Sequence, residues 1–261
     1  MMYELCALTH QGRVRHNNED VVVFDRQTGL CLLADGMGGY KAGEVASALA
    51  VASLTQELNG WLLHAGHQAP VRDIRRRMKN SVQSATRAIF EAACSNPDHE
   101  GMGTTLVAGV FAPGRLVLGH VGDSRCYRLR GRALLQLTKD HSIVQVQVDA
   151  GLITPAQAWV SPQRNLITRA LGMENSVRVD IDDHSVEPGD LYLMCSDGLS
   201  DMVEPQTIAA LLNASSALPK KARALVQAAN DSGGRDNISV LLVQAAAIGA
   251  RRGLMSRMLG K

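Results

Sequence analysis

Three aspartates in this chain stand where an apolar run meets a turn. Leu30–Glu44, LCLLADGMGGYKAGE, stops its apolar run at Asp35, and Gly36, Gly38, Gly39 and Gly43 follow. Leu191–Asp201, LYLMCSDGLSD, repeats the arrangement at Asp197-Gly198. The polar loop Ser232–Asn237, SGGRDN, places Asp236 just before a last apolar run, ISVLLVQ. A carboxylate ending a buried strand is costly unless charged partners or a metal satisfy it. Mg²⁺ and Mn²⁺ take carboxylate, carbonyl and water oxygens. Acidic loop residues without paired cysteines or clustered histidines favour these ions over structural zinc. Glycines beside the carboxylates let backbone approach a ligand closely. The plainer reading of each Asp-Gly alone is an ordinary turn; the recurrence carries the chemical one.

Two further segments bear on the same chemistry. Thr9–Asp20 holds Arg13, Arg15, Asn17, Asn18, Glu19 and Asp20. It reads either as a solvated turn or as an arginine beside two carboxylates, which suits a phosphate next to metals because guanidinium binds phosphate as a planar fork. Gly122-Asp123-Ser124-Arg125 interrupts a β-like stretch with another carboxylate. His10, His16, His120 and His141 are isolated and read as surface or core histidines. The chain lacks a His-Glu-x-x-His zinc motif, a phosphate-binding Gly-x-x-x-x-Gly-Lys-Ser/Thr loop and a Gly-x-Ser-x-Gly nucleophile elbow.

The elements that must position these residues follow from periodicity. Residues 1–8 and Val21–Phe24 read as short strands. Val45, Ala48, Leu49 and Ala52 share one face of a predicted helix ending near Asn59-Gly60. A second helix, about 71–93, has the stripe Ile74, Met78, Val82, Ala85, Ile89 and Ala92, with a basic first half read as a solvated face. GTTLVAGVFA, RLVLGHVGDSRCYRLR and ALLQLT, separated by Pro113-Gly114 and Arg130-Gly131, predict antiparallel hairpins. Ser142 with Gln145, and Thr154 with Pro155 and Gln157, signal two short helices. Ser161–Gly172 links to a strand over Val177–Val186. The strand before Asp197, helices at about 204–213 and 219–231, and the final strand complete a single domain of sheets with helices outside.

Composition removes other function classes. In 261 residues, 3% aromatic content argues against stacking on single-stranded nucleic acid, and a formal charge of +2 is too small to argue for a polyanion partner. Five scattered cysteines without a Cys-x-x-Cys pair read as free thiols in a reducing compartment. No run reaches the roughly 18 apolar residues of a membrane span, and no signal peptide is apparent, so a cytoplasmic location is expected.

GRVRHNNED, LLADGMGGYKAGEVAS, GMGTTLV, GHVGDSRCYRLR, LTKDHS, NLITRALG, LMCSDGLSDMV and GGRDNISVLLV resemble, in order and across roughly residues 5–244, the motifs of the metal-dependent protein serine/threonine phosphatases of the protein phosphatase 2C (PP2C) family, bacterial members above all. The resemblance implies an α+β fold: a four-layer α-β-β-α sandwich of two antiparallel sheets flanked by helix pairs. It places the phosphatase domain at 1–246, a small flap at about 152–168 and a basic tail at 247–261. It implies hydrolysis of phosphoserine and phosphothreonine through a water bridging two Mn²⁺ or Mg²⁺ ions, opposing a serine/threonine kinase in bacterial signalling.

Carried over residue by residue, Asp35 bridges the two ions, Gly36 offers its carbonyl, and Asp197 and Asp236 bind the first ion. Glu19 and Asp20 hold metal-bound waters, and Arg15 holds the substrate phosphate. Asp123 with Asp197 matches a third metal site. Expected partners are phosphorylated proteins and a cognate kinase, with no nucleic acid and a monomeric chain. The sequence departs from the family where some members carry histidine: Met37 and Tyr40 stand there. Met37 cannot donate a proton, which leaves a metal-bound water as first choice for the general acid and Tyr40 as second. A phosphatase-like binding module without turnover, and more distantly a phosphodiesterase, are the competing readings. The tail, with Arg251, Arg252, Arg257 and Lys261 among Leu254, Met255, Met258 and Leu259, reads as a frayed terminus or as a basic amphipathic segment that recruits a partner.

Overall fold

The central strands of this protein are apolar at consecutive positions, because both of their faces are covered. The computed structural model describes residues 2–39, 42–66 and 69–247. Three strands open the chain: β1 (Met2–His10), β2 (Asp20–Phe24) and β3 (Leu30–Met37). Helices α1 (Ala42–Leu54), α2 (Gly60–Ala65) and α3 (Val71–Ser95) follow. The central strands are β4 (Gly103–Thr104), β5 (Leu106–Ala112), β6 (Arg115–Val121), β7 (Arg125–Arg130) and β8 (Ala133–Gln136). Then come α4 (Ile143–Asp149), α5 (Pro155–Trp159), β9 (Asp180–Ser185), β10 (Leu191–Cys195), α6 (Asp197–Ser200), α7 (Pro205–Asn213), α8 (Leu218–Asp231) and β11 (Ile238–Ala246).

The strands form two antiparallel sheets. One runs β1-β11-β10-β7-β8, the other β2-β3-β5-β6-β9, with β4 paired to β3. Side chains alternate across each strand. Leu30, Leu32 and Ala34 of β3 pack under α1 and α3, whereas Cys31 and Leu33 face the other sheet. In β10, Leu191, Leu193 and Cys195 meet α7 and α8, while Tyr192 and Met194 fill the space between sheets. Three apolar layers thus hold four layers of structure, α-β-β-α, the sandwich expected from the motifs.

Several local expectations shift. The first helix buries Ala42, Gly43, Ala46, Ser47, Ala50, Val51 and Leu54 instead of the Val45, Ala48, Leu49 and Ala52 face. Its small residues let the helix lie close to β3, and Val45 and Leu49 pack only at its side. The helical run also continues past Asn59-Gly60, through a π-helical turn at Thr55–Asn59 into α2, and stops at Gly66 with φ 71°. The stretch RLVLGHVGDSRCYRLR is two strands, in different sheets: β6 belongs to one, β7 to the other, and Gly122-Asp123-Ser124 is the crossing between them. The strand expected over Val177–Val186 narrows to β9 at the sheet edge. Thr154 forms the full capping box expected of it, and Ser142 accepts the N–H of Gln145. Of the cysteines, Cys31, Cys126 and Cys195 are buried, Cys6 is half-buried and Cys94 is exposed. No helix among the described residues is long and apolar enough to cross a membrane. Tyr40 and the basic tail from residue 248 on lie outside the described residues.

Candidate active site

A cleft of about 300 Å³ opens at one end of the sheet stack. Arg15, Glu19, Asp35, Gly36, Asp123, Asp197 and Asp236 line it, together with Met37, Thr105, Asn165 and Ile167. Asp20 lies behind the cleft, buried opposite Asp35 in the β2–β3 ladder. Seven of the eight residues selected from sequence therefore share one cavity wall, and the eighth supports it.

Each is placed by a different element. Asp35 does not end its strand, as the apolar run suggested: β3 continues through Gly36 and Met37, which pair with Thr104 and Gly103 of β4. The Asp35 peptide is fixed on both sides, its N–H donating to Thr105 Oγ1 at 3.1 Å and its carbonyl accepting from Thr104 Oγ1 at 2.9 Å. The Gly36 N–H donates to the Glu19 carbonyl at 3.1 Å. A Cβ on Gly36 would run into the Gly43 carbonyl and close on Glu19, so only glycine lets these three backbones approach. Asp197 opens α6 directly after β10. Asp123 sits at the crossing between sheets. Thr105 Oγ1 also lies 2.8 Å from Ser124 Oγ, so one hydroxyl touches the peptide of Asp35 and the residue after Asp123.

The loop carrying Arg15 is held by Asn237. Its Oδ1 accepts the Glu19 N–H at 2.8 Å, and its Nδ2 donates to the carbonyls of Gln11 and Asn17 at 2.9 and 2.8 Å. Arg15 Nη2 donates to Asp236 Oδ2 at 2.7 Å. Asn17 Nδ2 donates to Glu19 Oε1 at 2.9 Å. Sequence reasoning passed over Thr105 and Asn237 as ligand supports. Both lie inside quoted motifs, GMGTT and GGRDN, but hydroxyls and amides in such positions look like turn formers until the partner strand is known.

The electrostatics are those of anions held together with too little countercharge. Burial raises Asp35 well above the carboxylate range, and repulsion from Asp20, Asp197, Asp123 and Asp236 adds to it. Asp197 is raised in the same way, by burial and then by Asp123, Asp201, Asp236 and Asp20. Burial pushes Asp123 up to about 7, with Asp140 and Asp201 adding. Asp20 is pushed up to about 6 by burial, opposed by the nearby Ser239 and Ser196 side chains. Ser196 Oγ donates to Asp20 Oδ2 at 2.9 Å, and Asp20 Oδ1 is buried without a partner.

This donor set suits a hard divalent cation: several carboxylates and an unpartnered buried oxygen. With the side chains as they stand, no three acidic, histidine or cysteine groups among the described residues converge closely enough to enclose an ion. Arg15 is turned onto Asp236.

A family profile described as Protein phosphatase 2C matches residues 9–230. The serine/threonine protein phosphatase PstP of Mycobacterium tuberculosis is 42% identical over 242 residues, covering 93% of this chain and 45% of PstP. The chain thus spans about half the length of that relative. The serine/threonine phosphatase stp of Listeria monocytogenes is 39% identical over 90% of this chain and 93% of its own length. The catalytic domain of PstP, solved in complex with two manganese ions, superposes with a TM-score of 0.82 at 40% identity, over 94% of this chain and 99% of that one.

Proposed function

Because this chain belongs to the protein phosphatase 2C family, we propose that it is a metal-dependent phosphatase that hydrolyses phosphoserine and phosphothreonine in proteins. The observation that carries this reading is the gathering of Asp35, Asp123, Asp197 and Asp236 in one cleft with Arg15 at its rim. Asp35, the Gly36 carbonyl, Asp197 and Asp236 would hold two Mn²⁺ or Mg²⁺ ions, Glu19 and Asp20 would orient waters around them, and Asp123 with Asp197 would take a third. When bound, the ions supply the positive charge that activates a water and clamps the phosphoryl oxygens.

The chain's own residues do the rest. Arg15 engages Asp236 through one Nη2 and keeps its other N–H donors for phosphate oxygens. Asn237 ties the Arg15 loop to the Asp236 loop, so the phosphate donor and the carboxylates move as one piece. Thr104 and Thr105 fix the Asp35 peptide, which costs no reorganisation during reaction. Met37 lies at the cleft wall without a proton to give, so it is not the general acid.

The partners we propose are phosphorylated proteins and a cognate serine/threonine kinase, met by a monomer in the cytoplasm, where free buried thiols persist. The test is phosphate release from a phosphothreonine peptide with Mn²⁺ and with EDTA. Release that EDTA abolishes supports the reading. Tight peptide binding without release would favour the binding-module alternative.

A further inference from the structure

Met37 has no part in the chemistry, yet it borders two cavities. It and Ile167 line the phosphate cleft and also a neighbouring hollow of about 470 Å³, whose other apolar walls are Ala170, Met173 and Val177. Met37 and Met173 lie together over Gly103. A Cβ on Gly103 would come to 2.8 Å from Met37 Cε and 3.3 Å from Met173 Sδ, so the glycine leaves a floor on which both thioethers rest. Met173 is 53% exposed. Methionine pairs at a surface form adaptable apolar contacts.

Of the two arginines beside the hollow, Arg169 is held by Asp180 and Arg178 extends into solvent. Arg169 Nη1 lies 3.1 Å from Asp180 Oδ1, and Arg178 Nε lies 3.7 Å from the same oxygen. Glu174 adds a negative charge at the lining. These charges stand at the rim, and the floor beside the cleft is an open methionine shelf for an apolar side chain. In an extended peptide, neighbouring residues are only about 3.8 Å apart along the chain. A phosphoresidue in the cleft would bring an adjacent side chain over the shared wall of Met37 and Ile167.

We propose that Met37, Ile167 and Met173 form a specificity shelf that takes an apolar side chain directly beside the phosphoresidue of a protein substrate. The inference rests on the phosphatase reading of the adjoining cleft. Sequence reasoning noted Met37 only for what it cannot do; its place over Gly103 gives it a different task.

The test uses phosphothreonine peptides in two pairs, Leu against Asp at the residue before the phosphothreonine and Leu against Asp at the residue after it. The full chain is assayed with Mn²⁺, and an aryl phosphate without flanking residues reports on the cleft itself. Leu should exceed Asp by about tenfold in kcat/KM at one of the two positions, the low end of what an apolar pocket discriminates. Met173→Asp should bring that ratio to one or below, and Met173→Leu should restore it; at a half-exposed position both variants keep the fold. Leu and Asp within twofold at both positions, or a ratio unchanged in Met173→Asp, would overturn the shelf while aryl phosphate hydrolysis left the phosphatase reading standing. Absence of release from every substrate would overturn both.

Discussion

Replacing Asp20 by asparagine should stabilise the metal-free protein and weaken its response to metal. Asp20 is 6% exposed, with one oxygen held by Ser196 and the other unpartnered. Its pKa rises from an ordinary 3.8 to about 6, chiefly through burial. Below 3.8 the group is protonated whether folded or unfolded, and it adds no cost. Between 3.8 and about 6 the folded state keeps a proton that the unfolded state has lost, so stability falls as pH rises. Above about 6 the full cost is present. At about 1.4 kcal/mol per pH interval, it amounts to about 3 kcal/mol.

An asparagine in its place would keep the shape and accept the Ser196 hydrogen bond without the charge. In EDTA at pH 8, Asp20→Asn should therefore raise Tm by about 6–12 °C, at about 2–4 °C per kcal/mol for a chain of this size. At about pH 3.5 the two proteins should melt together, because the wild-type carboxyl is protonated there in both states. With Mn²⁺ the gap narrows, because the wild-type carboxylate meets the positive charge that it lacks in EDTA. Scanning calorimetry at the two pH values, with and without Mn²⁺, reads each of these differences. A variant less stable than wild type in EDTA at pH 8 would refute the argument that burial of this charge is a stability cost retained for function.

Other outcomes follow from the same geometry. Asp35→Asn should fold, since it removes a charge that burial and the neighbouring carboxylates disfavour, and should lower kcat on a phosphothreonine peptide by about a thousandfold, on the scale of losing a transition-state charge stabiliser; near wild-type turnover with Mn²⁺ would remove Asp35 from the site. Arg15→Ala should lower kcat/KM on phosphopeptides by about 10–100-fold, the loss of a charge-assisted phosphate contact, while calorimetry finds Mn²⁺ binding close to wild type. Arg125→Ala should destabilise the fold by about 3–5 kcal/mol in urea, because it leaves Asp140, 2.6 Å from the Arg125 guanidinium, as a buried unpaired charge.

Much of this was legible in the residues. Asp35 and Asp197 were chosen from apolar runs met by Asp-Gly, Asp236 from a Gly-rich loop before an apolar run and Asp123 from a break in a strand, and such signals work because a sheet end is where backbone turns and ligands meet. The long helix over Val71–Ser95, the Thr154 capping box and the polar Arg15 loop were legible for similarly local reasons, whereas at Ser142 only half of the expected box forms, the Gln145 side chain turning to Asp149. What escaped was set by partners distant in sequence. The face of α1 depends on small residues fitting the sheet, not on the larger Val45 and Leu49, so the hydrophobic pattern pointed to its side. RLVLGHVGDSRCYRLR reads as one interrupted strand because nothing local says that Gly122-Asp123-Ser124 changes sheets. Thr105 and Asn237 acquire their roles only when β3 and the Glu19 loop are brought against them.

The pairing of the first strand with the last bears on how the protein is made. β1 and β11 join residues 2–10 to residues 238–246, from Met2 opposite Ala246 to His10 opposite Ile238. The loop after β1 carries Arg15, and the loop before β11 carries Asp236 and Asn237. A chain emerging from the ribosome can form the β2–β3 and β5–β6 hairpins early, but not this closure, and such distant pairings fold slowly. Arg15 therefore waits for the last strand before it meets Asp236. A chain cut before Asp236 would lack one carboxylate of the cleft and the Asn237 amide that holds the Arg15 loop, so the cleft is completed only when the last strand is in place.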